Sequence, residues 1–387
     1  MLNTDHPAEV PVYPRLKLQP DRGTGSTLVA ADGRRFLDLY GGHAVAVSGH
    51  CHPRVVAAVC EQAERLLFYS NAVPIESRDR LFGILAEMAP KPLGQAFLVN
   101  SGAEANDVAL QLARRVTDRR RVVTFEGGFH GRTLATLAVS GIPHYRDLAQ
   151  ASGGQSLLDL TVVAPWQRPE VLSALIDETI AAVIVEPVQG LAGAREAGAD
   201  TLRCLRKACD AAGAVLIFDE VQCGCGRTGA FTAAEAYGVM PDILTLAKGI
   251  AAGLPMGAVL VSPRISKHIA QGDLGTTFGG GPVACASAVA NLEVIRDEGL
   301  AGRAMRLERR LRQGLADLPP VREITGRGLM LGLVLDRPAR PVQLALFERG
   351  ILVGSANDPS VMRLLPPLVL TDGEADHFLE ALHEVLS

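Results

Sequence analysis

Short apolar runs that alternate with amphipathic helices predict an α/β protein: a large domain on a mostly parallel sheet, followed by a smaller C-terminal α+β domain. Three observations carry this. Continuous, β-branched runs recur at Ala96–Val99, Arg121–Phe125, Ala182–Val185, Ala214–Phe218, Asp242–Leu246 and Ala258–Val261, as strands buried on both faces require. Helical stretches separate most of them, among them ANDVALQLARRVTDR, PEVLSALIDETI and ADTLRCLRKACDAAG, and strand–helix–strand order makes parallel neighbours. After Pro282 the pattern changes to a long helical stretch and then a second set of short strands.

Residues 1–45 form an N-terminal segment that begins Pro-rich. In STLVAADGRRFLDLY two apolar runs flank Asp32-Gly33, a hairpin turn signal. Residues 46–282 form the large domain, which opens with HPRVVAAVCEQAERLLF, amphipathic at helical spacing. Residues 283–387 form the small domain. There VACASAVANLEVIRDEGLAGRAMRLERRLRQGLADL reads as helix, GLMLGLVLD, GILVGS and SVMRLLPPL as strands, and DGEADHFLEALHEVL as a closing amphipathic helix.

Composition narrows the function. A chain with 48% hydrophobic and 21% charged residues has the mix of a globular protein with a large core. The net charge of −4 gives no reason to expect nucleic acid or an anionic membrane as partner. Any bound anion is held by local geometry. No apolar run is long enough to span a bilayer, and the first twenty residues show no secretory signal, so a cytoplasmic protein is expected. The seven scattered cysteines read as reduced thiols. Neither His50-Cys51-His52 nor Cys223 with Cys225 has a second half at zinc spacing, so no metal is expected.

Ligands of open parallel sheets sit at the carboxyl ends of the strands, and the residues there are unusual. Asn100-Ser101-Gly102-Ala103 follows the first run, Glu126 to Thr133 the second, and Glu186-Pro187-Val188-Gln189 the third. Asp219-Glu220-Val221-Gln222 and then Lys248 follow the next two. Ser101-Gly102-Ala103 opens a helix whose free N–H groups and dipole suit a phosphate. Asp219, at the end of an apolar strand, needs a cation, which a protonated pyridine nitrogen supplies as well as an Arg would. Lys248 ends another buried run, where lysines lose protons and form imines. Phe129 on a Gly-rich loop either stacks on an aromatic ring or is core. Together these describe a pyridoxal 5'-phosphate (PLP) site.

The chain resembles the class III (ω-amino acid) family of PLP-dependent aminotransferases, and within it the acetylornithine group, from about Gly23 to the C-terminus. The motifs are GHCHP (49–53), NSGAEAN (100–106), FHGRT (129–133), VEPVQG (185–190), FDEVQCGCGRTG (218–229), LAKG (246–249) and VMRLLPP (361–367). The resemblance implies PLP-dependent transferase fold type I and transamination of N-acetylornithine with 2-oxoglutarate, in arginine biosynthesis. It implies that Lys248 carries the cofactor and moves the proton. Asp219 would keep the ring nitrogen protonated, Gln222 would bond the ring hydroxyl, Phe129 would stack, and Gly102 and Ala103 would hold the phosphate. Thr277 would reach the phosphate of a neighbouring subunit in a homodimer with shared sites, with Thr276 near the substrate. Arg132 would take the donor's α-carboxylate and Arg363 the carboxylate of 2-oxoglutarate or glutamate; the fork of Arg suits a carboxylate.

Three positions depart from the family pattern. Leu191 stands where a glutamate is usual in QGEGG, so no acid there would mask Arg363; Gly281 replaces a more usual Asn. His43 falls where ornithine aminotransferases place a substrate-contacting Tyr; it reads either as a satisfied or solvated histidine, the slightly favoured reading, or as a ligand of the substrate. Other readings stay open: another ω-amine donor (ornithine, 4-aminobutyrate, a succinylated or carrier-bound diamine, a secondary-metabolite amine), or a PLP mutase or epimerase of the same fold. A non-catalytic cofactor-binding protein is a third, against which the retained Lys248 and Asp219 argue.

Overall fold

The computed structural model describes residues 10–166, 168–316 and 318–387. The first nine residues of the N-terminal segment therefore lie outside the described residues.

All six apolar runs are strands of one seven-stranded sheet. We label its strands β1 (Gln95–Val99), β2 (Arg121–Phe125), β3 (Thr161–Ala164), β4 (Ile180–Val185), β5 (Val215–Asp219), β6 (Ile243–Leu246) and β7 (Gly257–Val261). Their order is β1-β7-β6-β5-β4-β2-β3. Every residue of β4, β5, β6 and β7 is buried, the condition under which an uninterrupted apolar run is tolerated in a strand. Only β7 runs against the rest, pairing antiparallel with β6 and with β1. Its connection from β6 holds one short 3-10 turn, Lys248–Ile250, and no crossover helix, so a parallel return is out of reach. The edge strand β3 is the sheet strand that pattern reading passed over, because TVVA is short and half-buried.

The hairpin forms at the expected place: Thr27–Ala30 pairs antiparallel with Arg35–Asp38, and Gly33 takes a φ of 86° in the turn. The long helical pattern after Pro282 is two helices, Pro282–Asp297 and Leu300–Leu315, broken where Gly299 adopts a φ of 61°. PEVLSALIDETI is helical only over Pro169–Leu175, since Ile180 already begins β4. GILVGS divides between two sheets. Ile351–Leu352 joins Arg35–Asp38, while Gly354–Ser355 joins Val361–Leu364. The N-terminal hairpin and the C-terminal region thus share a sheet, which brings residues 40–43 beside residues 355 and 363. The closing helix, Asp372–Leu386, starts with a capping box of Thr371 and Glu374. Among the described residues no helix is long and apolar enough to cross a membrane.

Candidate active site

The ends of β1, β2, β4, β5 and β6 open on one cavity of about 560 Å³. Ser101 caps the helix Gly102–Thr117, accepting from the Glu104 N–H at 3.2 Å. Glu104 turns back to accept from the Asn100 N–H at 3.0 Å. The N–H groups of Gly102 and Ala103 have no partner among the described residues and line the cavity. The loop after β2 lies against this helix start because Gly131 permits it. Its φ is 136°, and a Cβ there would come within 2.7 Å of the Ala103 Cβ.

Asp219 ends β5 and is buried, and both its oxygens are hydrogen-bonded, as burial of a carboxylate requires. Its Oδ2 meets the Asn106 amide at 2.7 Å and His130 Nδ1 at 2.8 Å, and its Oδ1 accepts from the Val221 N–H at 3.0 Å. Asn106 is held in turn by the Thr245 hydroxyl at 2.8 Å. Lys248 follows β6 with a φ of 43°, a left-handed backbone that lysine rarely adopts. Its Nζ has no hydrogen-bond partner among the described residues. Burial lowers its pKa below the usual lysine value, with Arg363 acting in the same direction and Asp219 and Glu186 opposing.

Glu186, at the end of β4, accepts from the Phe129 N–H at 2.8 Å and the Gly190 N–H at 2.9 Å. Burial, and next the Asp219 charge, push its carboxyl up to about 7. The Phe129 ring lines the cavity, packs against Tyr145 at 4.8 Å, and lies under the Arg132 guanidinium at 5.9 Å. Arg363 is 3% exposed; its Nε donates to the Ser355 carbonyl at 2.6 Å and its Nη1 to Gln222 Oε1 at 3.4 Å. Neither Arg132 nor Arg363 has a carboxylate partner among the described residues. Leu191 lines the same cavity as Arg363 and offers it no charge.

Lys248, Asp219, Gly102, Ala103, Phe129, Gln222, Arg132 and Arg363 are thus brought together. Thr276 and Thr277 are not. The Thr276 hydroxyl accepts from the Gly279 N–H at 3.0 Å, Thr277 is exposed, and neither lines the cavity of its own chain. Gln222, expected on the ring hydroxyl, here donates to the His43 carbonyl at 3.3 Å. His43 has one satisfied nitrogen, Nδ1, 2.5 Å from the Tyr40 hydroxyl, and its ring lines the cavity. Sequence reasoning assigned no role to His130, Asn106, Thr245, Tyr40 or Glu186. His130 and Asn106 stood inside quoted motifs, but nothing in their spacing shows that both turn back onto Asp219.

These residues fit pyridoxal phosphate. A half-buried lysine and two helix-start amides, none of them with a partner among the described residues, share one cavity with a buried carboxylate that has room for one more donor.

The class-III aminotransferase family model matches residues 10–386. An acetylornithine aminotransferase of Methanocaldococcus jannaschii is 38% identical over 386 residues, covering 97% of this chain and 95% of that protein. One of Streptomyces coelicolor is 42% identical over 377 residues, covering 96% and 91%. Among solved structures, an ornithine aminotransferase of Toxoplasma gondii superposes with a TM-score of 0.89 at 32% identity, covering 97% of this chain and 92% of that one. An acetylornithine aminotransferase of Elizabethkingia anophelis superposes with a TM-score of 0.85 at 29% identity, covering 97% and 96%.

Proposed function

The chain belongs to the class-III aminotransferases, and from that premise we propose that it moves the terminal amine of N-acetylornithine to 2-oxoglutarate, yielding N-acetylglutamate 5-semialdehyde and glutamate. The observation that carries this reading is a pair of guanidinium groups, Arg132 and Arg363, that face the Lys248 cavity without any carboxylate partner among the described residues. A carboxylate-bearing donor and a carboxylate-bearing acceptor supply the missing charges.

Pyridoxal phosphate, when bound, supplies an electron-withdrawing ring that stabilises negative charge at the carbon beside the transferred nitrogen. The amides of Gly102 and Ala103 would hold its phosphate, with the helix dipole adding to their attraction. Asp219 would accept from the ring nitrogen, with Asn106 and His130 keeping the carboxylate aimed. Phe129 would cover one ring face, with Glu186 fixing the Phe129 backbone. Gln222, which ties His43 to Arg363, would bond the ring hydroxyl. Lys248 Nζ takes the proton from the donor's Cδ and returns it; burial lets it do so as a free amine at lower pH than an ordinary lysine. Arg132 clamps the donor's α-carboxylate at the cavity mouth, and Arg363 clamps the acceptor's carboxylate in its interior.

The working unit is a homodimer with shared sites. Leu67 and Phe278 are 69% and 66% exposed, and Phe68 packs on Phe278 at 5.2 Å beside the exposed Thr277. Covering this apolar patch with a second copy buries it and carries Thr277 to the partner's phosphate. Sedimentation at working concentration checks this, and a monomer refutes it. All seven cysteines are free thiols, which suits a cytoplasmic location.

The test is a panel of half-reactions of the purified holoenzyme with N-acetylornithine, ornithine and 4-aminobutyrate, followed by the absorbance of the bound cofactor. N-acetylornithine is expected to lead in kcat/KM by about tenfold or more. A lead for either other amine overturns the assignment of substrate.

A further inference from the structure

The turn that carries His43 is built against steric cost. Gly41, Gly42, His43 and Ala44 have φ values of 56, 55, 66 and 68°, four successive residues in the left-handed region. Glycine adopts this region freely, whereas His43 and Ala44 bear a clash between Cβ and the following carbonyl. The turn is held from several sides. Asp38 Oδ1 accepts from the Tyr40 and Gly41 N–H groups, both at 2.9 Å, and the Gln222 amide grips the His43 carbonyl. A Cβ at Gly41 would stand 2.8 Å from the Leu365 carbonyl oxygen, so the turn is pressed against the strand end that bears Arg363. Strain over-determined in this way clusters at sites of function.

What the turn delivers is an imidazole on the cavity wall. Nδ1 pairs with the Tyr40 hydroxyl, and Nε2 has no partner among the described residues; in the tautomer in which the phenol donates to Nδ1, Nε2–H is a free donor. His43 is exposed overall; the partial burial its ring does have, then Arg363, Lys248 and Arg132, which face the ring from three separate elements, lower its pKa from the usual histidine value. Among the described residues the acids lining this cavity are Glu186 and Asp219, and both are engaged by the donors described above. A donor carrying a second ammonium would therefore meet cations and no free acid. A donor whose second nitrogen is acylated brings no second charge and offers an amide oxygen.

Resting on the acylated-amine reading above, we propose that His43 is a specificity-determining residue: its Nε2–H donates to the amide oxygen of the N-acyl group on the amino donor.

The test compares N-acetylornithine with 5-aminopentanoate, which keeps the terminal amine and carboxylate but lacks the acylamino group, in the donor half-reaction of the holoenzyme. His43→Ala should cut kcat/KM for N-acetylornithine about tenfold or more while changing 5-aminopentanoate by no more than about twofold. His43→Gln, which keeps a neutral donor, should recover most of the loss. A binding readout accompanies the rates: the dissociation constant of N-acetylnorvaline, which has no reactive terminal amine, should rise about tenfold in His43→Ala. Equal losses with both donors would make the turn merely structural and overturn the proposal, as would no loss with either. A wild-type enzyme that reacts with ornithine but not with N-acetylornithine overturns the substrate reading and this inference together. A wild-type preference for N-acetylornithine that persists undiminished in His43→Ala overturns this inference alone.

Discussion

Asp219→Asn tests the electrostatic centre of the site. The substitution keeps the shape and removes one charge. A carboxylate facing a protonated ring nitrogen at about 4 Å, in a partly buried site of effective dielectric near 20, is worth about 4 kcal/mol. If that attraction is lost from the transition state, the half-reaction with N-acetylornithine slows by about a thousandfold. The hydrogen bonds add a second signature. Asp219 accepts from Asn106 and His130 on one oxygen and from the Val221 N–H on the other. An asparagine amide can turn its NH₂ toward only one of these sides, and either choice leaves a buried donor facing a donor. That costs about 1–3 kcal/mol of stability in the apoenzyme. The charge also raises the pKa of Lys248 and of Glu186, so both should fall in the variant. Rapid mixing with donor, thermal melting of the apoenzyme and a carboxyl NMR titration read the three effects. Turnover within about tenfold of wild type would show that Asp219 is a structural acid whose work ends at His130 and Asn106.

Lys248→Ala should abolish the borohydride-fixable attachment of cofactor, read as a mass increment on the peptide that contains residue 248; an increment on any other lysine refutes the assignment. Because burial lowers the Lys248 pKa, uptake of cofactor by wild-type apoenzyme should rise with pH and level off below 10.5, and an inflection at or above that value contradicts the buried-amine account. Arg132→Ala should slow the donor half-reaction with N-acetylornithine by about 10- to 100-fold, and Arg363→Ala the reaction of the aminated enzyme with 2-oxoglutarate by a similar factor, as expected for a lost charge-assisted fork. Equal damage to both halves by each variant would refute the division of labour. Leu191→Glu places an acid in the cavity that Arg363 shares, and should weaken glutamate about tenfold more than N-acetylornithine; an unchanged ratio of the two half-reaction rates would mean that Arg363 is already shielded.

The strands and their ends were legible because burial on both faces forces an uninterrupted apolar run, and polar residues that end such runs stand out against it. Lys248, Asp219 and the helix start at Gly102 needed nothing more. The antiparallel β7 was not legible as such, since an apolar run carries no direction and the missing helix before it is a weak signal. The break at Gly299 was hidden for a similar reason: apolar spacing continues across it, and one left-handed residue ends the helix. His130 and Asn106 escaped notice because their function is set by contact at a separation of 89 and 113 residues from Asp219, which no local pattern encodes. Glu186 stood at a strand end, yet its work on the backbones of Phe129 and Gly190 shows only in three dimensions.

The charge of the whole chain and the charge of the cavity point in opposite directions, and the contrast explains how the site selects its ligands. With a net charge of −4, the surface as a whole does not draw in dicarboxylates. The cavity nevertheless presents Arg132, Arg363 and Lys248, while its two acids are occupied, Glu186 by backbone amides and Asp219 by Asn106, His130 and Val221. A buried guanidinium without a carboxylate partner is costly for the empty enzyme, even where neutral acceptors meet some of its N–H groups. Filling the site with carboxylate relieves that cost, so part of the substrate's affinity is the release of a penalty the fold already carries. An acid in place of Leu191 would relieve it internally and leave less for the substrate. Arg363, at 3% exposure, depends on this exchange more than Arg132 at the cavity mouth, where water already solvates the charge.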